Sequence, residues 1–439
     1  MFKFMTKKRR IVGVLILAGL FGVSLSSGMS QEKIYASAKS GSVNMTKTIK
    51  TKTKKGRDIK TSEVYALSGS TFSLLDNILE QEDKDKNVLI SPTSIYYAFG
   101  MAENGAKKSS RSQLEKVING GVKTSDFNKI LASTRNRMNA DKEVKWNVAN
   151  SVWYINRKDV KVRKSFLKKA KAYYGAEVYK ASFNNKTLKD VNSWVKKNTN
   201  KMIPKVLENI SKDDVMYIIN AIAFEGEWGE QFKDYQVVKN QDFTNSDGSI
   251  SKVTMLTEKE GSYFELNGAY GFKKKYKGYN YSFVGIMIPD NVTPAQYVEQ
   301  LAKDGSAFPK QLKNTKSGNV VIKFPEFSYD YDIEMSEILK SMGATDVFDK
   351  DKANLNNLFT KTDDYNYYFS KVIHKTHIEV DKNGTKAAAV TAITLQKNTS
   401  VLRPEKQINI TLDHPFVYAI VDDTTNLPVF VGVVNILGK

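Results

Sequence analysis

The 439-residue chain contains no cysteine, only three histidines and only nine prolines. Without thiols it can have no disulfide, no thiolate zinc site, no cysteine nucleophile and no lipid-modified cysteine behind a leader, so the fold is held by its core alone. His374, His377 and His414 are too few and too clustered for most zinc or catalytic-triad schemes. HExxH, GxSxG and a glycine-rich phosphate loop are all missing. A hydrolase is set aside on those grounds, and neither a metal nor another cofactor is expected. Scarce proline and the lack of repeats argue against a solenoid. What is present is globular material, 41% hydrophobic and 11% aromatic, enough for one large domain or two medium ones.

The first 60 residues are of another kind. Lys7, Lys8, Arg9 and Arg10 precede a short apolar run broken by Gly13, Gly19 and Gly22, and Ser26-Ser27-Gly28 follows. This is the pattern of a secretory signal peptide over residues 1–30, with a cut after Ala36 or Ala38 as the later option. The run is short for a membrane span, and an uncleaved anchor is the second reading. Residues 31–62 carry nine Lys/Arg against Glu32 and Asp58 and few large apolar side chains. They read as a basic, disordered tail. A solvated spacer is the plain interpretation. Adhesion to an anionic cell-surface polymer, or docking on the body, are the sharper ones. Of the formal charge of +20, residues 1–30 hold five positive charges and no negative ones. The rest is spread over a large domain without a recognition helix or interleaved aromatics, so nucleic acid is not an expected partner.

From residue 63 the pattern becomes that of a folded domain running to residue 439. Ser91-Pro92-Thr93-Ser94 has a Ser cap with Pro at the first helical position, and Gly105 is a plausible stop. Residues 216–224 (MYIINAIAF) read as a central strand buried on both faces, in which Asn220 needs polar partners. Residues 416–421 and 429–434 read as an apolar hairpin. Helices come first and strands predominate later, which is an α+β order in one domain.

The stretch from residue 371 to 403 stands apart. Val372, His374, Thr376, Ile378 and Val380 alternate on one face of a strand that Asn383-Gly384 interrupts. After it comes a run that is neither good helix nor good loop. Read as a strand, one face is Thr385, Ala387, Ala389, Thr391, Ile393 and Leu395, and the only charge, Lys386, lies on the other. Such a run can enter a sheet without burying a charge.

Several segments resemble the serpin family across nearly all of residues 64–439. They are Asn87-Val88-Leu89-Ile90-Ser91-Pro92-Thr93-Ser94-Ile95, Asn220 to Trp228 with Phe224 and Gly226, Phe324-Pro325-Glu326-Phe327, His374, Gly384-Thr385-Lys386-Ala387-Ala388-Ala389 and His414-Pro415-Phe416. The resemblance implies three β-sheets, about nine helices and an exposed reactive-centre loop over roughly residues 382–408, used in suicide inhibition by loop insertion. It assigns Ser91, Ser94, Asn220 and His374 to a polar "shutter" under the sheet, residues 384–389 to the loop hinge, and Trp228 and Lys382 to the "breach" where insertion starts. Counting from the hinge puts the reactive bond at Asn398–Thr399. A loop longer than in antitrypsin-like members offers Val401, Leu402 or Arg403 instead. The family usually has glutamate where this chain has Lys382.

About a dozen residues gaining ladder hydrogen bonds at ~1 kcal/mol each would release on the order of 10 kcal/mol. The expected function is therefore a secreted, extracellular, monomeric inhibitor of a subtilisin-like or chymotrypsin-like serine protease, or of a cysteine protease. A non-inhibitory binding or adhesion module, or a protease substrate, is the alternative.

Overall fold

A computed structural model describes residues 15–26, 41–201, 203–360, 366–385 and 407–438. In chain order it opens with β1 (Leu15–Ser26), β2 (Val43–Asn44), α1 (Thr61–Leu79) and β3 (Val88–Ile90). The predicted cap at Ser91 starts α2 (Pro92–Gly105): the Ser91 hydroxyl accepts from the Ser94 N–H at 3.3 Å. Next come α3 (Ser109–Asn119), α4 (Thr124–Ala140), β4 (Lys145–Ile155), α5 (Lys164–Tyr174), β5 (Glu177–Ala181), α6 (Asn185–Asn198) and β6 (Asp214–Glu227). The strand-rich half holds β7 (Val237–Thr244), β8 (Ile250–Leu266), β9 (Ala269–Lys275), β10 (Tyr281–Met287), α7 (Pro294–Lys303), α8 (Ala307–Lys313), β11 (Lys316–Pro325), β12 (Phe327–Glu334) and α9 (Ser336–Ser341). The chain closes with β13 (Asn366–Val380), β14 (Gly384–Thr385), β15 (Ile408–Thr411), β16 (Phe416–Asp422) and β17 (Leu427–Val434).

The first sheet has the order β12-β13-β1-β6-β4-β5-β2, with β14 beside the upper end of β6. The second array, β15-β11-β8-β9-β10-β16-β17-β3, divides at the 17-residue strand β8. The earlier part of β8 pairs with β7 and β11, and only its last three residues pair with β9. The result is three sheets in an α+β fold. The alternation read in the sequence is real in β13, where Val372, His374, Thr376, Ile378 and Val380 are all buried. In β6, every residue from Asp214 to Gly226 is buried, as a near-continuous apolar run requires. On this strand Phe224 faces the second array, its ring 5.0 Å from Tyr276 and 6.5 Å from Phe430, and Asn220, on the same face, meets the start of α2. Beneath the first sheet lies α2, buried along its whole length.

Two expectations for the N-terminal region differ from what the structure describes. Residues 15–26, inside the expected leader, form a strand antiparallel to both β13 and β6. In addition, residues 41–60 are seated on the body instead of forming a disordered tail. β2 pairs with β5, Met45 N–H donates to Val178 O at 2.7 Å, and Lys54 N–H donates to Ala172 O at 2.8 Å. Lys171 Nζ donates to the carbonyls of Thr46 and Ile49. The physical reason is that Met45, Ile49 and Ile59 pack against the core. Full burial of such a side chain is worth about 1.5–3 kcal/mol, and these three are partly buried, so backbone hydrogen bonds supply the rest. A charge count alone does not detect three anchors spread among lysines. Residues 27–40 lie outside the described residues. No described helix is long and apolar enough to cross a membrane.

Candidate functional site

Five polar side chains meet under the middle of the first sheet. Ser91 N–H donates to His374 Nε2 at 3.2 Å, and the Ser94 hydroxyl donates to Asn220 Oδ1. Asn220 Nδ2 donates to Asn150 Oδ1 at 2.9 Å, and Asn150 Nδ2 to the Tyr174 carbonyl at 2.8 Å. Ser91, Ser94, Asn220 and His374, singled out from the sequence, are thus brought together, each at most 1% exposed. The helix start at Ser91 does this: it places two hydroxyls and a free N–H of the first turn directly under the sheet. Asn150 was missed, as was Thr376, whose hydroxyl donates to Leu89 O at 3.0 Å. The signal available for Asn150 was its place in a strand, the same that marked Asn220.

Burial pushes the His374 imidazole down to about 3. It is neutral, with Nε2 as acceptor, so the proton is on Nδ1. The sign of the pH effect follows. Its folded pKa lies below the ordinary 6.5, so below pH 6.5 the unfolded chain takes up a proton that the folded chain refuses. Stability from this group should fall by up to about 1.4 kcal/mol per pH unit from 6.5 down toward the folded value. We expect denaturation midpoints to drop less steeply between pH 6.5 and 4.5 in His374→Gln than in the parent. Equal slopes would contradict it.

At the upper end of β6, β14 makes a short antiparallel pair, Gly384 with Glu227 and Thr385 with Gly226. Thr385 is fully buried, and its hydroxyl lies 3.0 Å from that of Tyr276. The Tyr276 ring stacks on Trp228 with centroids 4.7 Å apart. Trp228 Nε1 donates to Asp381 O at 2.9 Å, and its N–H donates to Asn383 O. Gly384 has φ +130°, and a Cβ there would come within 2.4 Å of Gly226 O, so glycine is required. The expected hinge residues Lys386, Ala387, Ala388 and Ala389, and the expected reactive-bond residues Asn398, Thr399, Val401, Leu402 and Arg403, lie outside the described residues.

Between these two sites runs one lane of the sheet, bounded by β6 and β13. β1 fills it, with Leu15 opposite Phe224, and Gly19 opposite Asn220 on one side and His374 on the other. Lane and hinge are collinear: β14 ends at Gly226, two residues before β1 begins at Phe224.

A sheet with such a lane, a buried polar cluster beneath it and a hinge at its mouth matches what comparison with known proteins finds. The family model described as Serpin (serine protease inhibitor) matches residues 66–436. The chain is a serpin. Human neuroserpin is 29% identical to it over 371 residues, covering 81% of this chain and 87% of that one. A serpin-like protein of Methanosarcina mazei is 27% identical over 447 residues, covering 98% of both. Among solved structures, the thermophilic serpin Tengpin in its native state superposes with a TM-score of 0.80 at 35% identity, covering 91% of this chain and 100% of that one. Thyroxine-binding globulin in complex with thyroxine, with TM-score 0.72 and 20% identity over 87% of this chain and all of its own, shares the fold. Serpins are generally protease inhibitors, and some are not.

In this serpin Lys382, which the sequence resemblance assigns to the breach, is paired with acids. Its Nζ donates to Asp234 Oδ1 at 2.8 Å, and its N–H to Glu326 Oε1 at 2.9 Å. The Asp234 contact raises the Lys382 ammonium, and burial raises the Glu326 carboxyl. The departure from the family's glutamate is thus met by acidic partners. Lys382→Glu would gather carboxylates at positions 234, 326, 381 and 382 around the hinge. We expect it to convert several-fold faster to a heat-resistant or oligomeric form on mild warming, and Asp234→Lys in the same chain to restore part of the delay. Native gels over time would show this, and an unchanged conversion rate would refute it.

Proposed function

We propose that this serpin is a secreted suicide inhibitor of serine endopeptidases, and that its loop, once cut, takes the lane between β6 and β13. The carrying observation is the register of Thr385. Continued one for one from Thr385 opposite Gly226, the loop would bring Ala387 opposite Phe224, Thr391 opposite Asn220 and Lys397 opposite Asp214, where β6 ends. Residues directly opposite each other share a face of the sheet. The face with Thr385, Ala387, Ala389, Thr391, Ile393 and Leu395 would therefore turn to the core, and Lys386 would turn away from it. From Thr385 to Gln396 that orientation turns no charge to the core, and Lys397, next on the core face, would meet the Asp214 carboxylate at the end of the lane.

The same register supports a reactive bond at Asn398–Thr399, just past the last lane position. The protease's serine hydroxyl attacks the Asn398 carbonyl carbon, the bond to the Thr399 nitrogen breaks, and that nitrogen leaves with the proton taken from the serine. The ester stays on Asn398 and is carried with the inserting strand, away from the water that would hydrolyse it. A subtilisin-like or chymotrypsin-like enzyme suits a bond shifted to Val401 or Leu402 better than one after Asn398. Export through residues 1–30 gives access to such enzymes.

The test is to incubate the chain from residue 31 onward with subtilisin, chymotrypsin, trypsin and a papain-like enzyme. A complex that survives denaturing gels is expected with at least one, and the mass of the released C-terminal peptide identifies the bond. Cleavage by all four with no complex, and no gain in heat resistance of the cleaved product, would overturn the proposal.

A further inference from the structure

We propose that the seated segment of residues 41–60 and helix α5 together form one binding surface for a linear phosphodiester polymer. This does not depend on protease inhibition. α5 has no acidic residue from Lys164 to Tyr174. Lys164 and Lys168 are exposed and one turn apart, a spacing at which like charges repel. Lys169 follows, and burial together with Arg111 holds its ammonium below the ordinary range. The segment then lays Lys50, Lys52, Lys54 and Lys55, all exposed, across the C-terminal end of α5 and on to α4. None of these lysines has an ion pair among the described residues.

Apart from the exposed Asp58 of the segment itself, nearby acids are already engaged. Arg57 takes Glu63 and Asp126, Arg157 takes Asp159, and Asp190 accepts the Ser42 N–H. The segment is held by apolar anchors and backbone hydrogen bonds while its charges oppose the docking, so the assembled surface keeps its cations free for a partner.

The shape and chemistry select that partner. α5 spans about 16 Å, and the segment extends the cationic stripe beyond it, which suits a chain of repeated charges over a single ion. Lysines are point charges without the planar fork of arginine, so they suit phosphates met in any orientation. Among the described residues the exposed large aromatics are Tyr235, Tyr270 and Tyr279, none in this segment or in α5, so this surface offers no platform for stacking bases. A bilayer would call for exposed apolar residues beside the lysines, and only Val43 is there.

The experiment measures binding of the full-length chain to purified poly(glycerol phosphate), to glycerol phosphate monomer and to phosphatidylglycerol vesicles in separate arms. We expect the polymer to bind, and log K to fall linearly with log salt. Two variants, K164Q/K168Q and K50Q/K52Q/K54Q/K55Q, should each weaken binding about tenfold or more and flatten the salt slope by roughly 0.7 per lost contact. Lys259→Gln and Lys313→Gln, exposed elsewhere, should change nothing. Equal loss in all variants would mean diffuse attraction and overturn the site. Equal affinity for vesicles or for monomer would overturn the polymer as its ligand. Binding is read directly, so a failure to trap proteases leaves the proposal standing, and its failure leaves the inhibitory reading intact.

Discussion

On the proposed inhibitory reading, Thr385→Arg should turn trapping into cleavage and release at the same bond. Thr385 is fully enclosed, and its hydroxyl lies within hydrogen-bond distance of Tyr276 under the Trp228 ring. A guanidinium does not fit this enclosed site, and burying its charge there costs several kcal/mol. Insertion is worth on the order of 10 kcal/mol and must outrun hydrolysis of the ester, so losing several at its first step is decisive. With tenfold per 1.4 kcal/mol, complex yield should fall by about 100-fold or more. Thr385→Val keeps the volume and loses one hydrogen bond of about 1 kcal/mol, so it should still trap. Denaturing gels with the parent's target protease separate the outcomes. Persistent complex in the Arg variant would show that the loop does not enter beside Gly226.

The second large effect concerns residues 15–26. They hold the lane that the cleaved loop would need, with register partners on both sides. A loop extended past Thr385 meets β1 after a single further residue, since β14 stops at Gly226 and β1 starts at Phe224. The two strands are of similar length and would make similar ladders, each on the order of 10 kcal/mol, so exchanging one for the other offers little drive. The chain that keeps residues 1–30 should therefore be cleaved without trapping, and the chain starting at residue 31 should form complexes. After cleavage only the shorter form should gain markedly in denaturation midpoint. Equal trapping by both forms would show that β1 yields the lane freely. Cleavage of a leader on export would, on this reading, also arm the inhibitor.

Much of this was visible in the residues themselves. The alternation from Val372 to Val380, the Ser91-Pro92 helix start, the unbroken apolar run of β6 and the charge-free face from Thr385 to Leu395 are local patterns, set by side-chain period and backbone sterics. They carried the α+β class and marked Asn220 and His374 as buried polar groups, while the grouping of Ser91, Ser94, Asn220 and His374 came from the resemblance to serpins. Helices α4, α7 and α8 were not read, because their apolar positions are diluted by lysine, asparagine and glutamine, and their packing partners lie far along the chain.

Tertiary structure alone decided the rest. Asn150 joins the cluster only because β4 pairs with β6 so that it faces Asn220, 70 residues away. Lys382 has acids beside it only because Glu326 and Asp234, distant in sequence, are brought to the mouth of the lane. The basic segment becomes part of a surface only when three apolar side chains find the body. Period and composition act within a few residues and can be read there. Partnership depends on which elements pack, and that is set by the sum of many weak contacts across the whole chain.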